Sequence, residues 1–269
     1  MNYYHSEGLE GMERQQYRST RSFTKAVESR ADELRSGNPN VGQYVVFTSV
    51  GKGELVGIDR LCSTRHKGLR SMYLEREELL IVKIMPGPVY EIVCTVFGSA
   101  LREKTARMGL HYALVDIGGT ALQGIESRNE SNSAFKPRLS SWPTLVLECG
   151  IPKSLNRLRA EARWWLDNSR GEVKTVLLFS ISKADREIHL EQWEIPAAPN
   201  PQRTRARLPP VGPKKIYELD IPGAIATGAP LRLEFEKLFL RQPVPGEEDI
   251  IFTAADLGRL AAIIWSAVQ

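Results

Sequence analysis

Residues 142–165, WPTLVLECGIPKSLNRLRAEARWW, constrain the fold more than any other stretch of this chain. Positions 144–147 form an apolar run of strand length, typical of a strand that is covered on both faces. Glu148 follows directly, and Gly150 and Pro152 end the strand. Ser154 can cap the Arg-rich amphipathic helix that comes next. The segment predicts a buried strand ending in a carboxylate, which is either a site residue or the partner of a helix arginine.

The rest of the chain alternates between strand and helix patterns. Apolar runs predict strands at residues 44–47, 79–84, 112–117, 173–182 and 187–194, the last as an edge strand or a hairpin partner. Helical spacing predicts helices at residues 90–108 and 256–268, with Thr253 as the N-cap of the second. Residues 231–240, LRLEFEKLFL, alternate as a strand does. This order predicts the α/β class, as a mixed sheet flanked by helices.

No clean linker divides the chain, so we expect one domain with extensions. Residues 1–40 are predicted to be an N-terminal tail and a helix. A solvated or loosely packed helix is preferred to a docking helix, because the apolar stripe is thin. Residues 41–269 are predicted to be a single domain, with a core at about 43–195 and a C-terminal extension at 196–269. The basic stretch at 55–69 indicates solvated surface. The Pro/Arg-rich stretch at 197–213 is not core, and indicates a flexible insert or disorder.

The charge balance is mildly basic, with a net charge of +4 and a pI near 8.9. It permits a nucleic-acid partner without arguing for one, because binding domains usually cluster their basic residues on one face. Three widely spaced cysteines form neither a disulfide framework nor a zinc motif, so we expect an intracellular protein, cytoplasmic or nuclear. The N-terminus lacks a secretory signal, and no stretch approaches the roughly 20 apolar residues that span a bilayer, so no membrane partner is expected.

Common catalytic signatures are absent from the sequence. There is no GxxxxGK[ST] loop, no GxGxxG opening a helix and no nucleophile elbow around a serine. Cys149 could act as a nucleophile only beside a base, and no motif brings any of the four histidines to it. A small buried thiol is the plainer interpretation of Cys149.

Acidic and amide side chains form the more informative pattern. Glu91 lies in the first turn of a predicted helix, Asn132 lies in a polar loop before a strand, and Glu148 ends the next strand. Positions at strand ends and helix starts can converge in an α/β sheet. A hard cation such as magnesium needs converging carboxylates, and phosphodiester hydrolysis also needs a positive group near the phosphate.

Four ordered motifs carry a resemblance to a known superfamily. They are LIVKIMPGPVYE at 80–91, SNSAFKP at 131–137, WPTLVLECGIPKS at 142–154 and ARWWLDNSRGEVK at 162–174. In this order they resemble the PD-(D/E)XK, or restriction-endonuclease-like, superfamily, and look most similar to its Uma2-like branch with its fungal relatives. The resemblance covers about residues 43–195 and implies a restriction-endonuclease-like fold.

The resemblance also implies a site. Glu91 and Glu148 stand at two acidic positions of the family pattern, whereas Asn132 replaces the expected aspartate and Gly150 the expected lysine. Lys153 could supply the missing positive charge, as could an arginine of the following helix. The implied catalytic set is Glu148, Glu91, Asn132 and Lys153, and the implied Mg²⁺ ligands are Glu91, Asn132 and Glu148.

Three functions remain open from the sequence. The first is a metal-dependent nuclease with a rearranged site, and the second is an inactive relative that binds nucleic acid. The third is a nuclease fold recruited to small-molecule chemistry without metal. The partner is accordingly nucleic acid or a small-molecule ligand, and a homodimer is compatible with the sequence.

Overall fold

The computed structural model describes residue 4 and residues 6–66, 68–85, 87–196 and 212–267. The strands are β1 (Arg14–Gln16), β2 (Tyr44–Thr48), β3 (Leu69–Leu74), β4 (Leu79–Ile84), β5 (Leu114–Asp116), β6 (Ala121–Gln123), β7 (Ser127–Glu130), β8 (Ser133–Pro137), β9 (Leu145–Gly150), β10 (Thr175–Ser182), β11 (Glu187–Glu194), β12 (Lys214–Pro222), β13 (Leu231–Leu233) and β14 (Ile250–Phe252). The helices are α1 (Thr20–Arg35), α2 (Lys52–Arg65), α3 (Val89–Arg107), α4 (Leu155–Asn168), α5 (Phe235–Phe239) and α6 (Ala254–Ser266).

Most strands belong to two six-stranded sheets. The first has the order β1-β2-β4-β3-β7-β6, the second has the order β12-β11-β10-β9-β8-β5, and β13 and β14 form a separate pair. In the second sheet β9 runs parallel to β10, whereas β8 and β11 run antiparallel to their neighbours. The predicted mixed α/β class is therefore confirmed. The restriction-endonuclease-like arrangement stays a prediction.

Alternation of side chains along the strands divides the interior into three cores. Val46 of β2 and Ile81 of β4 pack with Val146 of β9 and with Trp164 and Trp165 of α4, forming a core between the two sheets. The opposite face of the first sheet packs on α1 and α2. The opposite face of the second sheet packs on α3, α5 and α6. The inter-sheet core is thus covered on both sides, and any polar group that faces it loses contact with water.

Several elements differ from the sequence prediction. The basic stretch after Gly51 is helix α2, which buries only Leu55 and Ile58, too narrow a stripe to register as periodicity. Residues 231–240 are a short strand followed by helix α5, because Phe235, Leu238 and Phe239 also fit helical spacing and are buried.

Of the two N-caps predicted from the sequence, one is absent and the other is present. The Ser154 side chain does not cap α4 and instead accepts a hydrogen bond from the backbone N–H of Gln43 at 3.1 Å. Thr253 caps α6 as predicted, in a capping box with Asp256. Strand β11 takes the predicted hairpin alternative, since it pairs with β10 on one side and with β12 on the other.

The N-terminal region packs more closely than its composition predicted. Strand β1 pairs in parallel with β2, and α1 buries Phe23, Val27 and Ala31 against the first sheet. Tyr4 and Leu9 contribute to the inter-sheet core. The preferred prediction of a solvated or loosely packed helix is therefore wrong on the inner face. The docking alternative describes it, because three well-spaced side chains pack on the sheet. The predicted Pro/Arg-rich loop lies outside the described residues except for its last two positions.

Candidate functional site

A buried ammonium group lies in the core between the two sheets. Lys83 faces this core because it lies two residues after Ile81 on β4, and every second residue of a strand faces the same side. Its Nζ lies 2.5 Å from Glu148 Oε2, 2.8 Å from Asn132 Oδ1 and 3.0 Å from Glu161 Oε2. These four residues are called here the Lys83 cluster. Lys83 lies on β4, Asn132 directly before β8, Glu148 on β9 and Glu161 on α4. All four side chains are buried, and Glu148 has no exposed surface.

Neighbouring groups use the remaining polar atoms of the cluster. Trp165 donates its indole N–H to Glu148 Oε1 at 2.8 Å. Asn132 Oδ1 also accepts the backbone N–H of Cys149 at 3.0 Å, so this oxygen has two donors. The Arg157 guanidinium lies 3.9 Å from Glu161 Oε1. The two buried carboxylates are thus matched by two buried cations, and the cluster with Arg157 is formally neutral.

Burial and charge act against each other in this cluster. Burial raises the pKa of the Glu148 carboxyl, Lys83 lowers it and Glu161 raises it, and the net result is a pKa of about 7. Burial alone would lower the pKa of the Lys83 ammonium, but Glu148 and Glu161 outweigh that effect and raise it above its ordinary value. Lys83 therefore stays charged, and the Glu148 carboxyl titrates near neutral pH and is ionised above its pKa of about 7.

The four site residues predicted from sequence do not converge on one place. Glu148 and Asn132 are brought together, both in contact with Lys83. Glu91 lies in the first turn of α3 with 59% of its side chain exposed, and its carboxylate is 3.5 Å from Arg70 Nη2. Lys153 is exposed in the 3-10 turn before α4. The structure therefore unites two of the predicted residues and separates the other two from them.

A small cavity of about 140 Å³ lies beside the cluster. Glu91 and Asn132 both line it, together with Arg70, Asp116 and Cys94, whereas Glu148 does not. Arg70 and Gly119 also line a larger cavity of about 440 Å³ on the first sheet. A Cβ at position 119 would lie 2.7 Å from Arg70 Nε, so glycine lets the guanidinium lie between the two cavities.

The residues do not fit a magnesium site as they are arranged. The oxygens of Glu148, Asn132 and Glu161 that would face a cation already face the Lys83 ammonium. Asn132 brings no negative charge, and Mg²⁺ generally relies on one or two carboxylates in octahedral geometry with several waters. The Lys83 ammonium already occupies the position that a cation would take among these oxygens.

Cys149, considered as a nucleophile from the sequence, is buried against another cysteine. Cys149 Sγ lies 3.5 Å from Cys94 Sγ in the core, and burial raises the pKa of the Cys149 thiol well above its usual value. A thiolate nucleophile is therefore disfavoured there.

A group of possible metal ligands lies elsewhere, on β11 and β12. One ligand atom each from His189, Glu191 and Glu218 lie within 4.8 Å of one another. Glu191 is already satisfied, because it accepts hydrogen bonds from Arg159 and Trp193. Burial raises the pKa of Glu191, but these donors and His189 outweigh burial and hold it far below its ordinary value.

The sequence reasoning missed Lys83, Glu161 and Arg70. Lys83 is the single charged residue of the apolar strand LLIVKI, which was the available signal. Glu161 follows Arg157 by one helical turn within the Arg-rich helix, on the face that also carries Trp165. Neither signal indicates which residues contact each other, because Glu148 and Glu161 lie far along the chain from Lys83.

Comparison with known proteins adds no family to these observations. No protein-family model, no curated protein and no solved structure matches the chain. The superfamily resemblance therefore stays a prediction based on the four motifs. Among the described residues, no helix has the length and apolar character needed to cross a membrane.

Proposed function

We propose that the chain is a nucleic-acid-binding protein with a nuclease-like fold that does not cleave its ligand. The four motifs suggest the nuclease-like fold and its ligand, and the Lys83 cluster argues against cleavage. A hydrolytic site must admit water, a phosphate and a cation to its carboxylates, whereas Glu148 is fully buried and its oxygens are bonded to Lys83 and Trp165. The residues of the motifs that suggest a nuclease thus belong to a buried, formally neutral cluster between the two sheets.

Binding and cleavage assays on one preparation test this function. Labelled duplex DNA, single-stranded DNA and RNA are titrated with the protein over a range of salt concentrations, then incubated with Mg²⁺ or Mn²⁺. We expect binding that weakens steeply with salt, because phosphate contacts release counterions, and no cleavage products. Metal-dependent cleavage that Glu148→Gln abolishes would restore the hydrolase hypothesis. Absence of binding at low salt would remove the nucleic-acid role.

Asn132→Asp tests whether the cluster is a metal site that lacks only one charge. We expect neither wild type nor this variant to bind Mg²⁺ or Mn²⁺ at the cluster, because Lys83 fills the space between the oxygens. Calorimetric titration measures binding, and Asn40→Asp, an exposed change of the same charge, gives the background. Metal binding by Asn132→Asp above that background would mean that a cation can displace Lys83.

Small-molecule chemistry has less support from the geometry. A reaction chamber around Glu148 and Asn132 would need a pocket that both side chains line. The cavity at Asn132 holds about 140 Å³, is lined by charged side chains such as Arg70 and Asp116, and does not include Glu148. Ligand pockets usually enclose about 300–1,000 Å³ and are mostly apolar.

A further inference from the structure

A groove runs between helices α1 and α2 on the outer side of the first sheet. Its volume is about 460 Å³, and its lining includes Arg21, Lys25 and Glu28 from α1 and Leu61 and Arg65 from α2. Three cations therefore face a single carboxylate, which makes the groove basic although the whole chain carries only +4. The sequence placed these residues on solvated surface, and the docking of α1 brings them together.

The cations of this α1–α2 groove have no acidic partners. Within the described residues, the side chains of Arg21, Lys25 and Arg65 form no ion pair or hydrogen bond, and all three are exposed. The second half of the same helix behaves differently, since Arg30 pairs with Glu33 and Arg35 pairs with Asp32. The positive charge at the groove is thus offset only in part, by Glu28, and an anion that binds there need not first break an ion pair.

The residues that line the groove indicate which kind of anion it can bind. Leu61 is its single apolar residue among those that line it, and none of the lining residues is aromatic. The groove therefore lacks the stacking platforms with which proteins bind single-stranded bases. The hydroxyls of Thr20 and Thr24 add hydrogen-bonding groups near the positively polarised N-terminus of α1. These features suit phosphate oxygens and not bases or apolar ligands.

We propose that the α1–α2 groove binds the phosphate backbone of double-stranded DNA. Cations carried on an exposed helix can follow the backbone beside the wide major groove of B-form DNA, whereas the major groove of A-form RNA is deep and narrow. The contacts are to phosphates, so the binding does not depend on base sequence. This inference rests on the proposed nucleic-acid function and assigns its binding surface.

The test removes the three cations together and compares the result with a matched control. The triple variant Arg21→Ala, Lys25→Ala, Arg65→Ala is titrated with a fluorescent 20-bp duplex at several salt concentrations. The control Arg138→Ala, Arg170→Ala, Lys183→Ala removes three exposed positive charges elsewhere. We expect the groove variant to bind at least about 10-fold more weakly at low salt, with a log–log salt slope smaller by about 2–3, because each phosphate contact contributes about 0.9. The control should change both quantities much less.

The outcomes separate the surface from the function. If wild-type protein does not bind the duplex at low salt, the proposed function fails and this inference fails with it. If wild type binds and the groove variant binds equally well, only the groove assignment is overturned. Tighter groove-dependent binding of the single strand or of duplex RNA would overturn the choice of duplex DNA. Groove-dependent binding to anionic phospholipid vesicles without any effect on DNA binding would assign the groove to a membrane surface instead. Equal urea unfolding midpoints for the three proteins verify that each variant is folded.

Discussion

Replacing Lys83 with methionine is expected to lower the free energy of unfolding by about 3–5 kcal/mol at about pH 8. The substitution keeps an unbranched side chain of similar length but leaves Glu148 and Glu161 buried without the ammonium, with Arg157 beside Glu161. Breaking a buried ion pair on one side costs far more than an exposed pair contributes, because the remaining charge stays desolvated. Urea denaturation followed by tryptophan fluorescence measures the change.

The same variant should lose more stability at high pH than at low pH. The pKa of Glu148 is about 7 in the folded protein, above its ordinary value of 4.5, and it rises further without Lys83, which lowers it. A carboxyl whose folded pKa is raised contributes most favourably when it is protonated. Relative to wild type, the penalty therefore stays small below the folded pKa of about 7 and grows as the pH rises above it.

Measurements at about pH 5 and about pH 8 give the sign. Lys153→Met is the control for removal of a lysine, and we expect it to stay within about 0.5 kcal/mol of wild type because Lys153 is exposed. A loss below about 1 kcal/mol for Lys83→Met at both pH values would contradict the buried ion cluster.

Replacing Arg157 with methionine is expected to cost about 3 kcal/mol and to loosen the N-terminal segment. The guanidinium is completely buried, donates to the backbone oxygens of Tyr4 and Glu7, and lies beside Glu161. Its loss leaves two carbonyls and one carboxylate without this partner. Hydrogen exchange should accelerate at residues 6–12, and urea denaturation should give the loss of stability.

A pair of glycine variants tests the contact between the N-terminal segment and α4. Gly8 has φ +69°, and a Cβ there would lie 2.5 Å from the backbone nitrogen of Arg157, whereas Gly11 has φ +73° and open space around it. Gly8→Ala should therefore mimic Arg157→Met in hydrogen exchange, and Gly11→Ala should show the cost of its backbone conformation alone. Equal effects of the two glycine variants would mean that the segment does not pack on α4.

Sequence patterns predicted the elements that carry strong periodicity. The strands around Ile81 and Val146, helix α3 and the capped helix α6 follow directly from apolar spacing and turn residues. Helix α2 escaped because two buried side chains cannot produce a helical pattern. The local preference of residues 235–239 is ambiguous, and packing of Phe235 and Phe239 decides it.

The candidate site could be predicted only in part, because its residues come from distant parts of the sequence. Sequence motifs identified Glu148 and Asn132, which the fold brings together. The partner of Glu148 was expected to be a loop lysine or a helix arginine, because those lie close along the chain. Its partner is Lys83, from a strand of the other sheet, and the distance between sheets depends on how α4 packs between them. Long-range pairing of this kind depends on tertiary packing, which local patterns do not encode.

The sequence of β4, LLIVKI, is apolar on both faces, so hydrophobicity alone does not determine which face of the strand points to the inter-sheet core. A slip of one residue along β2 and β3 would exchange the two faces at little apolar cost. It would also carry the ammonium of Lys83 to the side of Phe23 and Ile58, away from both glutamates. One lysine thereby encodes the register of the first sheet, and a charged side chain specifies an alignment that the surrounding aliphatic residues leave degenerate.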